Sequence, residues 1–402
     1  MSLDKTTASG VLKEFYIPTV NDQLVNKNEY LAQLEKNTED VEGTEAVLSL
    51  HVGRNQGIGA RKELEDLPAP GNQAYVKARV NLKYNYGQIQ VSGPVMRAMK
   101  SDNGSWLRAL ESETKGIVAD LKRDTERQLL STSDGVIAAT GVTTADTDVV
   151  HSATKTQRLH LKVGMLIDIG TVASPTAVAS ARTITAIVSD TVFTISGAAV
   201  TTATTDRIFR AGSGGSGANQ REITGLQTIV DSTGSLFGVD PATYPEWVSY
   251  EKDASSAAIS DALIEELIDE VDIVSPLGVP DWAITDHRQA RVYAATLADQ
   301  RRFTSDGELF GGFKGLEVGT ASGTLVLSTL RDAPVQTLFA VNRSALTEYK
   351  ASDWEFMEED GNVLQRIVTG NGKDGYGATL FKYSEQATSY RNAHGKIVNL
   401  AA

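Results

Sequence analysis

The feature that most constrains this chain is an alternation of apolar and polar residues running from Tyr75 to Ser92. Val76, Ala78, Val80, Leu82, Tyr84 and Tyr86 fall on one side of an extended backbone, and Lys77, Arg79, Asn81, Lys83 and Asn85 on the other. That two-residue period is the signature of a half-buried strand. The phase slips by one at Gly87, after which Ile89 and Val91 continue the apolar face, and the slip predicts a β-bulge. At about 3.3 Å per residue such a strand is roughly 60 Å long, about three times a typical one. Upstream, Leu48, Leu50 and Val52 alternate with Ser49 and His51, so Val47 to Ser92 reads as one long hairpin. Its tip is punctuated by Gly53, Gly57, Gly59, Pro68, Pro70 and Gly71 and charged by Arg54, Arg61, Lys62, Glu63, Glu65 and Asp66. A two-stranded ribbon with one apolar face is marginal in water by itself. Two supports are open: the surface of a neighbouring subunit, or a bend at the bulge that brings both halves into one intramolecular sheet.

The remaining segments differ in character. The first forty or so residues are polar and weakly patterned, with Phe15, Tyr16, Ile17 and Pro18 scattered among them, and read as an arm that orders by lying on another surface. From Ser105 to Leu130 the period becomes helical: Leu107, Leu110, Ile117, Val118, Leu121 and Leu129 form a stripe, Glu111 and Lys115 pair across one turn, and Ser105 is placed to cap. Residues from about Thr140 to Gly217 are rich in Thr, Ala, Val and Gly, with strand patterns over Val163–Ile169, Arg182–Ile187 and Thr191–Ile195 and a turn at Ser189-Asp190. This stretch predicts a small β-barrel or sandwich inserted into a host domain, ending in the linker-like run Gly212 to Gly217. Beyond it, Ile259, Leu263, Leu267 and Val271 predict an amphipathic helix with an acidic outer face. A second helix is capped by Asp286 and runs to about Arg302, and Leu380–Tyr383 and Ile397–Leu400 are strand candidates. The mixture indicates an α+β body.

Composition narrows the function. There is no cysteine, so thiolate metal sites, thiol nucleophiles and a disulfide framework are excluded. The formal net charge of −13 argues against a dedicated nucleic-acid binder, which gains affinity from clustered Lys and Arg. An acidic chain can still enclose DNA, because a wall that repels phosphate lets packaged DNA slide. MSLDKTTASGVLKEF has neither the basic start nor the apolar run of a signal peptide, and no window is long enough to span a membrane, so a soluble protein made inside the cell is expected. His51, His151, His160, His287 and His394 are scattered without metal-binding spacing. Asp146 and Asp148 form a DxD in a Thr-rich segment that lacks the Gly and Glu of a calcium loop, and reads as a solvated loop. Gly370 to Gly377 lacks the order and the hydroxyl of a phosphate loop and reads as a turn. Glu358, Glu359 and Asp360 read as solvated charge, and no Ser, His and acid set can be assembled. No catalytic residue, cofactor site or metal site is expected.

The order of parts (arm, long charged-tip hairpin, long helix, α+β body, returning C-terminal strand) resembles the HK97-fold capsid subunit of tailed bacteriophages, actinobacteriophage members with an inserted domain in particular. The residues that carry the resemblance are Val76-Lys77-Ala78-Arg79-Val80, Ser92-Gly93-Pro94-Val95-Met96 and the helix from Trp106 to Leu130. Pro280-Asp281-Trp282-Ala283-Ile284 leading into the Asp286 helix, and the ending His394-Gly395-Lys396-Ile397-Val398-Asn399-Leu400, complete the set. The resemblance implies an N-arm over residues 1–45, an E-loop hairpin over 46–95, and a spine helix with the first part of a P-domain over 96–139. It further implies an inserted β-domain over 140–217, an A-domain with P-domain segments over 218–365, and a C-terminal return to the P-domain over 366–402. It implies a structural protein that assembles into hexamers and pentamers of an icosahedral virion shell around double-stranded DNA, without sequence-specific binding and without a membrane, in the host bacterial cytoplasm. The E-loop residues implied in contacts between subunits are Arg54, Arg61, Lys62, Glu63, Glu65, Lys77 and Arg79. Since the arm before the hairpin is short, the resemblance suggests a separate scaffolding protein; a portal is a further partner it implies, and it leaves open whether a decoration protein joins them. Some members weld an E-loop Lys to a P-domain Asn with help from a Glu. Here Lys62, Lys77 and Lys83 fall in the hairpin, but Leu364 to Gly377 offers only Asn371 and no Glu, so no covalent cross-link is expected. Two rival readings are an encapsulin-like compartment, which shares the fold but encloses a cargo enzyme, and a β-rich hydrolase or adhesin whose Thr-rich domain binds a ligand.

Overall fold

The computed structural model describes residues 29–94, 103–299, 306–309, 313–319, 323–358, 363, 365–366 and 374–402. The arm before Glu29, the link through Val95 and Met96, Glu359, Asp360 and Asn371 lie outside these residues, as do the side chains of Trp106, Leu107, Leu110 and Glu111.

The body is built on a seven-stranded mixed sheet in the order Tyr250–Asp253, Gly395–Val398, Leu338–Val341, Trp282–Thr285, Thr324–Thr329, Phe313–Gly319 and Asp306–Leu309. Its central strands are apolar without a break because both faces are covered. Ala283, Leu327, Leu338 and Ala340 face the helices Asp261–Val274 and His287–Asp299. Trp282, Ile284, Phe339 and Val341 face Tyr30, Leu129, Leu130 and Ile223. The second helix begins at the Asp286 cap the sequence predicts, whereas the first begins after Ser260, so that Ile259 of the expected stripe lies before it. The Ser260 hydroxyl accepts from the Leu263 amide at 3.4 Å, and one oxygen of Asp286 accepts from the amides of Arg288 and Gln289 at 2.7 and 2.8 Å.

A second sheet runs along the long helix Asn103–Leu130, within whose first turn Ser105 lies. Its backbone is Gly375–Thr388, which pairs with Lys83–Ser92, Leu346–Lys350, Glu355–Phe356 and Gln365–Arg366, and Glu35–Asn37 adds parallel to Leu346–Lys350. Here the expected long strand is corrected. It divides at Leu82 into Ala74–Asn81 and Lys83–Ser92, which belong to different sheets. The phase slip is at Leu82 and Lys83, both turned inward, and register through Gly87 is unbroken opposite Leu380. Gly87 is therefore no bulge; a Cβ there would stand 2.5 Å from Leu121 Cδ1 and 2.9 Å from Ile117 Cδ1, so the glycine lets the helix lie close on the strand. Tyr84 and Tyr86 consequently face outward, where they meet Tyr383 edge-on with ring centroids 5.0 and 6.0 Å away.

The Thr-rich segment forms a six-stranded sheet in the order Val136–Ala139, Arg207–Arg210, Leu166–Gly170, Ala179–Ser189, Val192–Ile195 and Asp148–Val150. Its two edges meet at the Thr140–His151 pair, where Gly141 donates to Val150 O at 2.8 Å, so the sheet curls into a barrel-like module. The module has its own core, including Ile137, Val149, Ile167, Ile169, Phe193 and Ile208. It starts at Val136, four residues before the expected 140, because Val136–Ala139 pairs with the returning strand Arg207–Arg210. The Gly212–Gly217 run is not a free linker. Gly212 donates to Asp168 Oδ2 at 2.8 Å, Gly215 donates to Asp134 O at 3.1 Å, and a Cβ on Gly214 would lie 2.6 Å from the Phe209 ring. Glycine is needed there for close crossing rather than for flexibility. Among the described residues no helix is long and apolar enough to cross a membrane.

Candidate assembly surface

The hairpin pairs Glu45–Gly53 with Ala74–Asn81 from Glu45↔Asn81 to Gly53↔Ala74. Alternation sends Leu48, Leu50, Val76, Ala78 and Val80 to one face, and the chain itself covers that face near the base. Leu50 and Ala78 are buried against Leu236, Val239 and Trp247, while Ala46, Val80 and Leu82 are buried with Tyr349 and Ala387. The expected choice between a neighbour and one intramolecular sheet therefore resolves differently: a loop supports the base and only the distal part projects.

That distal part, residues 54–73, contains no strand or helix and carries the charged residues singled out from the sequence. Arg54, Arg61, Lys62, Glu63, Glu65, Lys77 and Arg79 are all exposed. The structure brings together some of them. Lys62 donates its amide to Glu65 Oε2 at 2.9 Å and accepts the Glu65 amide at 3.2 Å, forming a turn. The Arg61 guanidinium donates to Asp66 O at 2.9 Å and to Ala60 O at 3.0 Å. Arg79 pairs with Glu45 at 2.7 Å across the ribbon. Exposed pairs of this kind contribute little to the fold, so their charges are available to a partner. Lys77 stands on the same outer face as Arg79 and His51. Lys83 does not belong to the tip; its ammonium donates to Gln220 O at 3.0 Å beside the body.

The charge-centred sequence reading missed an apolar component. Ile58 and Leu67 are 80 and 84 % exposed and Leu64 is fully exposed, with a left-handed φ of 67° that turns it outward. Three large aliphatic side chains in water on one loop cost free energy unless another surface covers them. The signal was present in the sequence as aliphatic residues inside a Gly- and Pro-punctuated tip, where solubility alone calls for polar ones.

Behind the hairpin, the buried end of the long helix carries a polar network that ties the parts together. Arg127 bonds Glu222 at 2.6 Å and Asp124 at 3.1 Å, and Arg210 of the barrel-like module reaches Asp124 at 3.2 Å. Burial works against ionisation of Asp124, but Arg127 and Arg210 overcome it and hold the carboxyl well below its usual range. Arg123 and His160, the latter from the module, converge on Asp332 at 2.7 and 3.0 Å. Burial pushes Glu126 up to about 7, although its two oxygens accept the amides of Tyr30 and Leu31 at 2.7 and 3.2 Å. Glu126 thereby caps the short helix Glu29–Gln33 and fixes Tyr30, which stacks on Trp282 at 5.5 Å. Glu385 is likewise pushed up to about 7 by burial. These groups are cross-braces between elements, each engaged by a named partner.

The DxD is absorbed in its own turn: Asp148 donates its amide to Asp146 Oδ1 at 3.1 Å, and Asp148 Oδ1 accepts from the Thr194 hydroxyl at 2.5 Å. Among the described residues no group of three or more metal-ligating side chains is assembled.

No family model matches the chain, and no curated protein does. Solved structures do. The cyanophage A-1(L) capsid asymmetric unit superposes with a TM-score of 0.62 at 10% identity, covering 100% of both chains. The capsid of a native GTA particle superposes at 0.50 with 12% identity, covering 99% of this chain and 98% of that one. The holo-SrpI encapsulin from Synechococcus elongatus PCC 7942 reaches 0.49 at 10% identity, over 100% of this chain and 96% of that one. With the hairpin, the long helix, the sheet along it, the two-layered body and the added barrel-like module all in place, the chain has the α+β HK97-type capsid fold.

Proposed function

We propose that this chain is the major capsid protein of a tailed bacteriophage, a structural subunit rather than an enzyme, which assembles into hexamers and pentamers of an icosahedral shell around double-stranded DNA. The observation that carries the reading is the projecting tip, where Ile58, Leu64 and Leu67 stand in water among exposed Arg54, Arg61, Lys62, Glu63 and Glu65. Covering one such aliphatic side chain is worth on the order of 2 kcal/mol, and a shell repeats the contact at every subunit. Charges around the apolar set give register and reject wrong partners. The net charge of −13 suits a wall facing packaged DNA. A separate scaffolding protein and a portal belong to the same proposal, which leaves the presence of a decoration protein open.

The test compares particle yield with subunit folding. The triple variant Ile58→Ser, Leu64→Ser, Leu67→Ser is expected to keep the melting temperature of the parent subunit while particle yield falls at least tenfold. Arg61→Glu with Lys62→Glu acts in the same direction, more weakly and with a salt dependence. Unchanged particle yield in the triple variant contradicts the reading. Nuclease-protected DNA in native particles supports a genome container; a co-purifying enzyme in its place supports an encapsulin-like compartment.

A further inference from the structure

We infer that Arg391 is the positioning residue of the projecting hairpin: by holding the loop from Asp231 to Ser249 in one shape, it sets the direction in which the tip leaves the subunit. Its consequence for particles rests on the assembly reading above.

Arg391 is 1 % exposed, and its guanidinium donates to four main-chain carbonyls, one just before the loop and three within it. Nε reaches Ile229 O at 3.1 Å, Nη1 reaches Gly234 O at 3.0 Å and Trp247 O at 3.4 Å, and Nη2 reaches Thr233 O at 3.0 Å. The loop answers in kind, the Ser249 hydroxyl donating to Arg391 O at 2.6 Å. Between Ile229 and Tyr250 the chain has no helix or extended strand; its own main-chain ties are the Leu236–Val239 bridge, the turns from Asp240 to Trp247, and the Ser249 amide donating to Asp231 O at 3.4 Å. From outside the loop, Ser232 to Glu251 at 3.0 Å and Lys396 to Asp231 at 3.7 Å hold its start, and the Arg391 fork alone ties Thr233 and Gly234 to Trp247 near its end. A planar fork with donors in fixed directions can tie several carbonyls at once, which a lysine ammonium cannot reproduce.

The far side of the same loop is the seat of the hairpin. Leu236, Val239 and Trp247 pack against Leu50 and Ala78, and Phe237, held at φ 54°, presents its carbonyl to the Arg79 amide at 3.0 Å. Arg391 thus lies beneath the loop and the hairpin above it, with no direct contact needed between them.

The experiment is hydrogen exchange on the full chain, parent against Arg391→Lys, with Val239→Ala as a second variant that leaves the guanidinium in place. Amides of 46–52 and 76–80 are expected to exchange at least tenfold faster in both variants, while amides of the module 136–210 stay unchanged. Electron microscopy of the same Arg391→Lys protein is expected to give open or irregular particles where the parent gives closed ones. Faster exchange confined to 231–249, or spread equally over the module, overturns the positioning role. If the parent forms no particles at all, the assembly reading fails while the exchange data still decide the positioning.

Discussion

At the residue scale, several of the side chains that brace one element against another are buried and charged, and their chemistry sets a pH dependence. Glu385 is pushed up to about 7 by burial, with its Oε1 accepting the amides of Thr224 at 2.6 Å and Gln386 at 3.0 Å. A carboxyl whose folded pKa is raised holds its proton after the unfolded chain has lost it. Its stabilising effect is therefore complete below the ordinary glutamate value and is lost as pH rises through about 7. Glu126 acts in the same direction. Glu385→Gln keeps both bonds, since a single oxygen receives them, and removes the titration. The variant should be more stable than the parent at pH 8 by on the order of 2 kcal/mol, with no gain at pH 4. Denaturant melts at the two pH values check it, and an equal change at both contradicts it. None of this was legible in the sequence, because Glu348 and the pair Lys382 and Glu385 sit in two neighbouring strands whose buried faces look polar. Only the fold reveals that Lys382 meets Glu348 at 2.5 Å with both nearly inaccessible.

At the element scale, the two body helices followed from their period and the start of the second from its Asp286 cap, while of the body-sheet strands the pattern singled out only the last, expected at Ile397–Leu400 and found at Gly395–Val398. The hairpin was legible as a hairpin, but its division at Leu82 was not. A local pattern can show that the phase changes, yet which sheet each half joins depends on Gly375–Thr388, nearly three hundred residues away. The inserted module was legible from its composition, whereas the packing of Gly212–Gly217 was not, since glycine serves close contact and flexibility alike. The same ambiguity hides Gly225. A Cβ there would lie 1.8 Å from Ser131 O and 2.6 Å from Gln128 O, both main-chain atoms at the end of the long helix. Gly225→Ala is expected to destabilise the subunit by about 3 kcal/mol or more, because neither carbonyl can move without breaking the helix end. Thermal melts of the isolated subunit measure it; a loss below about 1 kcal/mol would mean that the crossing is looser than described.

At the scale of the whole molecule, the parts combine into a cross-braced body with one incompletely covered limb. The body braces the limb at its base through the Arg391 loop and leaves Ile58, Leu64 and Leu67 uncovered at its end. The sequence made the limb visible through the length and charge of the hairpin. It concealed the apolar contacts, because exposure is a property of the folded chain. The measurement that tests the central claim most directly is electron microscopy of the purified chain, alone and with candidate scaffolding proteins. Closed or open shells built of hexamers and pentamers are the predicted result, and uniform small oligomers under every assembly condition would contradict it.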